Sequence, residues 1–177
     1  PARADPAAPL VALEIVVLDT ETTGLNVRAD RIVQIGAVRM RGAEVIAADR
    51  FETMVKPDIP IPEAARRIHG LSDADVAGAP TVSHALHELA AFIGGAVVAG
   101  HSVHFDLAML RHEAARHGVD WAEPRALDAA LLAAALEPGQ LDNSIESLAL
   151  GFGVEITGRH TAAGDALVTA QILAAMI

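Results

Sequence analysis

The chain has 177 residues, enough to bury one substantial core without being forced to divide into two. Hydrophobic residues make up 52% and the mean hydropathy is +0.36, yet only 3% are aromatic, so alanine supplies much of the apolar content and packed helices are favoured. A formal net charge of −10 with a single lysine argues against gripping long duplexes by phosphate neutralisation, and the absence of cysteine excludes structural disulfides and thiolate zinc sites.

The opening PARADPAAPL carries three prolines and reads as a flexible lead-in or linker over residues 1–12, ahead of a domain over 13–177. LEIVVLDT, 13–20, is a β-branched run with the pattern of a buried strand. RIVQIGAVRM follows after a short connection, and RGAE turns into VIAADRFETMVKP, so three strands in a row suggest a meander. The spaced prolines of PDIPIPEAARRIHGLSD favour extended chain before a helical turn at PEAARRI, with Pro62 at its start. In APTVSHALHELAAFIGG, Val82, Leu86, Leu89 and Ile93 recur at helical spacing until Gly94 and Gly95 stop the run. AVVAGHS predicts a fourth strand, FDLAMLRHEAARHG an amphipathic helix, and RALDAALLAAAL a fifth strand passing into a helix. DNSIESLALGFG offers a capping box from Asn143 to Glu146 with Gly151 and Gly153 at its stop, and HTAAGDALVTAQILAAMI is a final helix. The order βββ, α, β, α, β, α, α implies an α/β fold with a mixed five-stranded sheet flanked by helices. No apolar stretch reaches the roughly 20 residues of a membrane span, and a reducing cytoplasm is the expected compartment.

The first strand ends in VVLDTETTGL. Residues i and i+2 of a strand face one side, so Asp19 and Glu21 present their carboxylates together, and such a pair needs a shared proton, a basic partner or a cation. With no sulfur ligand available, the natural cations are hard divalent ions, Mg²⁺ or Mn²⁺. Taken alone, an Asp-x-Glu at a strand end is more often a solvated turn. Two further acids change the weighing. Asp106 falls in the first turn of a helix that follows a strand, and Asp165 follows His160 by five positions among small and apolar neighbours. Each has an ordinary explanation, the helix dipole for Asp106 and a polar helix face for Asp165.

The blocks VLDTETTGL, GHSVHFDLAML and RHTAAGDA, in that order, resemble the three motifs of the DEDDh family of 3′-5′ exonucleases, to which the proofreading epsilon subunit of bacterial DNA polymerase III belongs. The intervening segments are similar too, from about residue 13 to the C-terminus. The resemblance implies an RNase H-like fold and hydrolysis of terminal phosphodiesters that releases nucleoside 5′-monophosphates. It implies that Asp19, Glu21, Asp106 and Asp165 hold two divalent cations, with His160 as general base, a role suited to an unperturbed pKa of about 6.5. A related group uses tyrosine at the position of Thr161, but this chain has no tyrosine.

The same resemblance places the 3′-terminal nucleotide against Thr22, Thr23, Gly24 and Leu25, with Leu25 wedged on the last base, and adds His69 and Phe105 as substrate-binding candidates. Phe105 suits base stacking or the core equally, and His69 suits a helix-end hydrogen bond. His101 is expected to make a structural hydrogen bond, and His84 with His87 to lie on a solvated helix face. Two features depart from the family: Ser102 stands where asparagine is common, and basic residues are few. Arg28, Arg31, Arg66, Arg67 and Arg159 offer a local basic rim, for which surface ion pairs are the simpler explanation. The expected partner is a single-stranded DNA or short RNA 3′ end, with other domains of a larger chain or a polymerase as further partners and no membrane. The alternative is a catalytically silent nucleic-acid or nucleotide-binding module within a multidomain protein.

Overall fold

The β-branched run Ile15–Leu18 is completely buried because its strand, β1 (Glu14–Thr22), lies at the centre of the sheet in a computed structural model that describes residues 8–177. On one side β1 pairs antiparallel with β2 (Ile32–Arg41), which pairs antiparallel with β3 (Glu44–Met54). On the other it pairs parallel with β4 (Val97–Gly100), and β4 with β5 (Ala126–Asp128), giving one five-stranded sheet in the order β3-β2-β1-β4-β5. The expected meander and mixed sheet are therefore present. Between the strands run α1 (Glu63–His69), α2 (Asp73–Val76), α3 (Val82–Ile93), α4 (His104–His117), α5 (Ala129–Leu136), α6 (Ile145–Phe152) and α7 (Ala162–Met176). No helix among the described residues is long and apolar enough to cross a membrane. Of the proposed lead-in, residues 1–7 lie outside the described residues, and Leu10–Ala12 form one 3₁₀ turn.

The period of two along β1 sorts its side chains between two cores. Val16 and Leu18 pack with Leu86 and Leu89 of α3 and Met109 and Leu110 of α4. Ile15 and Val17 pack with Ala170 and Leu173 of α7. Continuing the alternation puts Asp19 and Glu21 on the α7 side and Thr20 on the α4 side.

Two β2 residues let α7 come close enough to matter. Gly36 sits opposite Asp19 in the register, and a Cβ there would overlap the backbone of Ala162 and Ala163 at the start of α7. Gln34, buried in the same strand, accepts the Ala162 N–H through Oε1 at 3.1 Å and donates through Nε2 to Glu52 at 3.3 Å. An orphan donor of the helix start is thus satisfied by the sheet itself.

Three local details differ from the sequence expectation. The short α2, closed by a reciprocal Ser72–Asp75 capping box, has only four residues and shows no periodicity to read. The cap of α6 is Ser144, whose hydroxyl accepts the Ser147 N–H, while the Asn143 backbone carbonyl accepts from His101 Nε2 at 2.6 Å. Gly151 lies inside α6, and the left-handed stop is Gly153.

Replacing Gly36 by alanine is expected to destabilise the protein by about 1–3 kcal/mol through overpacking against α7, read as a lowered chemical-denaturation midpoint at unchanged slope.

Candidate active site

Three chain segments deliver the acids. Asp19 and Glu21 end β1, and Asp165 stands in the first turn of α7, where the Thr161 hydroxyl caps the helix by accepting the Gly164 N–H at 3.1 Å. One carboxylate oxygen from each of Asp19, Glu21 and Asp165 lies within 4.8 Å of the others. Asp106, in the first turn of α4, stands just behind this trio: buried, it accepts the Thr20 hydroxyl at 2.7 Å, and its charge is the largest of the neighbouring charges acting on Asp19. The strand alternation explains this, since Thr20 faces α4 while its neighbours face α7.

The electrostatics are those of crowded acids removed from water. Burial, then the charges of Asp106, Asp165 and Glu21, push the Asp19 carboxyl well above its ordinary range. Burial and Asp165 push Glu21 up to about 7. Asp106 is also pushed up to about 7 by burial, against the hydrogen bond from Thr20.

One basic side chain enters the group. Arg159 pairs with Asp165 Oδ2 at 2.5 Å and with Glu146 at 2.6 Å, so a guanidinium shared with a further acid lowers the charge cost at Asp19, Glu21 and Asp165. It leaves Asp165 Oδ1 buried and without a hydrogen-bond partner. An unsatisfied buried carboxylate oxygen beside two others, with only oxygen donors present, fits a hard divalent cation. The residues that would hold one are Asp19, Glu21 and Asp165, with Asp106 adjoining.

His160 lies exposed at the rim in a left-handed backbone conformation, φ 61°, with its N–H donating to Asp165 Oδ2 at 3.3 Å. Such a backbone is uncommon for a residue with a Cβ, and the close approach of Gly158 to Gly164 fixes it: a Cβ on Gly164 would overlap the Gly158 carbonyl.

The loop after β1 displays Leu25 at 85% exposure, while Thr22 and Thr23 are buried. The Thr22 hydroxyl donates to the Gly24 carbonyl at 2.7 Å, and a Cβ on Gly24 would overlap the Asp30 carboxyl. His69 is buried; its Nδ1 accepts the Leu71 N–H at 3.0 Å, and burial lowers its pKa against the pull of the Thr22 carbonyl. Phe105 is half-buried against the α3–α4 core.

His101 makes the expected structural hydrogen bond, and His84 and His87 are exposed, facing Glu88 and the Ser83 carbonyl of their own helix. Of the suggested basic rim, Arg31 pairs with Asp58, Arg66 and Arg67 with Glu63, and Arg159 with the acids described. Sequence reasoning missed Thr20, Gln34, Gly36 and Gly164 as supports of the site. The signal for two of them was a glutamine and a glycine inside the apolar strand IVQIGAV.

The exonuclease family model matches residues 16–173. The chain belongs to the exonuclease family. Within this family it is 39% identical over 166 residues to the DNA polymerase III subunit epsilon-like protein of Rhodobacter capsulatus, covering 92% of this chain but 23% of that protein. It is 34% identical over 158 residues to the DNA polymerase III subunit epsilon of Aquifex aeolicus, covering 89% of this chain and 77% of that one. In structure the exonuclease domain resembles the zinc-bound complex of E. coli exonuclease I with single-stranded DNA, with a TM-score of 0.76, 21% identity, and coverage of 90% of this chain and 39% of that one. The RNase H-like fold is that of these exonucleases.

The raised carboxyls set a direction for stability against pH. The unfolded chain releases these protons from about pH 4 upward, whereas the folded chain retains them until about pH 7. The unfolded state therefore binds fewer protons between those limits, and metal-free stability falls as pH rises through them. A divalent cation binds the ionised form and opposes that loss, so the gain in melting temperature from Mn²⁺ is expected to grow between about pH 5 and about pH 7 and to shrink sharply in Asp165→Asn, as read by calorimetry.

Proposed function

We propose that the chain is a divalent-metal-dependent 3′-5′ exonuclease that removes nucleoside 5′-monophosphates from single-stranded DNA or short RNA. The observation that carries this reading is the convergence of Asp19, Glu21 and Asp165 oxygens within 4.8 Å, with Asp165 Oδ1 buried and unpartnered. The catalytic domain is assigned to residues 13–177, which contain the family match over 16–173. Polymerases or further domains of a longer chain are the proposed partners, in keeping with relatives named as DNA polymerase III subunits, and the cytoplasm is the proposed compartment.

Asp19, Glu21, Asp106 and Asp165 would hold two ions, Mg²⁺ or Mn²⁺. Bound there, such ions supply Lewis-acid activation of water and stabilise charge on the phosphoryl oxygens. His160, on its constrained turn at the rim, accepts a proton from the attacking water. The water oxygen bonds to phosphorus, the P–O3′ bond breaks, and the departing 3′ oxygen takes a proton from solvent, leaving a strand shorter by one nucleotide. Thr22, Thr23 and Gly24 line the terminal nucleotide, and Leu25, exposed on the same loop, wedges against its base. His69, buried near the Thr22 carbonyl, and Phe105, beside Asp106, are the further substrate-side residues of this reading.

A second reading, a silent nucleic-acid-binding module, is favoured by one observation: Arg159 already sits on Asp165. A 5′-labelled single strand with Mn²⁺ separates the two. The wild type is expected to produce a ladder from the 3′ end that Asp165→Ala does not. His160→Ala is expected to lower kcat by about 10²–10⁴-fold with Mn²⁺ affinity retained. A strand left intact by the wild type would favour the silent module, and equal ladders from wild type and Asp165→Ala would mark a contaminant.

A further inference from the structure

Away from the four acids, the most deeply buried carboxylate among the described residues is Glu113 of α4, at 1% exposure. An isolated charge there would be costly, and two guanidinium groups and an imidazole gather on it. Arg116 Nη1 donates to Oε1 at 2.6 Å, His117 Nε2 lies 3.5 Å from Oε2, and Arg31 Nε lies 4.0 Å from Oε1.

Two of these partners belong to the loop that follows β1 or hold it. Arg116 uses its other arm, Nη2, to donate to the Arg28 carbonyl at 2.9 Å. Arg31 donates through Nη1 to the carbonyls of Ala29 and Asp30 at 2.5 and 3.1 Å and pairs with Asp58. The loop itself is a closed unit. Thr23 N–H donates to the Arg31 carbonyl at 2.8 Å, and Asp30 accepts the Thr23 hydroxyl at 3.0 Å and the Asn26 N–H at 2.8 Å. At its tip stands Leu25.

Seven residues separate Asp106 from Glu113, close to two helical turns, so both project from one face of α4. One end of that face meets the acids of the site and the other meets the base of the loop.

We propose that Glu113 is a positioning residue for the substrate end: by holding Arg116 and Arg31 it fixes where Leu25 stands relative to Asp19, Glu21 and Asp165. The inference rests on the exonuclease reading above. A buried ion cluster of this kind adds little net stability over an apolar one, but it admits few alternative geometries. A loop fixed beforehand is spared the ordering entropy that a mobile wedge would lose on binding a strand end.

The test compares wild type, Glu113→Gln, Glu113→Asp and Arg116→Gln on a short 5′-labelled oligonucleotide with Mn²⁺, alongside limited trypsin digestion of the same proteins without substrate. Glutamine keeps the volume of Glu113 and an acceptor for Arg116. Glu113→Gln is expected to raise KM by roughly 5–20-fold while kcat changes less than about twofold, with Glu113→Asp recovering part of the loss. Mn²⁺ affinity by calorimetry stays within about twofold of wild type, because the metal-holding acids are untouched. Trypsin cuts after Arg28 at least about five times faster in Glu113→Gln and in Arg116→Gln. In a Leu25→Ala background, Glu113→Gln adds less than about twofold to KM, since the side chain it positions is gone.

An unchanged KM, an effect fully additive with Leu25→Ala, or a parallel loss of Mn²⁺ affinity would overturn the inference. A wild type that cleaves no strand would instead overturn the exonuclease reading, and trypsin would still decide the anchoring: equal cutting of wild type and Glu113→Gln would show that Glu113 does not hold the loop.

Discussion

Like charges forced together at the end of a buried strand are the constraint around which this fold is organised. Asp19 and Glu21 share a face because β1 stays extended to Thr22, and the helix packed on that face brings Asp165 to them. Nothing in the apolar packing requires these acids, and burial pushes three of the four toward their protonated forms. A protein selected for stability alone would not keep them there. A single guanidinium divided between Asp165 and Glu146 compensates a small part of the charge.

The surrounding structure reads as the apparatus that keeps these groups close. Register places Gly36 opposite Asp19, the missing Cβ lets α7 lie directly on β2, and Gln34 ties its first turn to the sheet. Thr161 caps the same turn while the Gly158–Gly164 contact holds His160 in its uncommon backbone. On the other side Thr20 fixes Asp106 from the opposite face of β1. The site is assembled from short, rigid element ends, which suits chemistry that depends on the positioning of oxygens.

The acidic balance also shapes what the site can hold. Most arginines that might have gripped a phosphate backbone are paired with acids, so little long-range electrostatic attraction is left for an extended strand. On the proposed reading, recognition falls on the terminal nucleotide through the loop bearing Leu25; Ser102 and His160 hold left-handed backbones. Serine tolerates a left-handed backbone less well than asparagine, so the turn at Ser102, φ 57°, carries some strain.

The strands, the long helices and the candidate acids were legible in the chain, because these rest on local rules: β-branched runs, helical period, glycine stops, and the fact that i and i+2 of a strand share a face. Asp19 and Glu21 were legible as a pair for that reason, and Asp106 and Asp165 as members of ordered motifs. The four-residue α2 and the choice of Ser144 over Asn143 as a cap were not, since the first is too short to show a period and the second lies between two adjacent residues that both suit a cap. Long-range packing sets that Asp106 leans on Thr20 behind the other three, that Arg159 reaches Asp165, and that Glu113 gathers Arg31 and Arg116 beneath the loop. Each of these depends on the distance between segments remote in the chain, and such distances are set by packing and register.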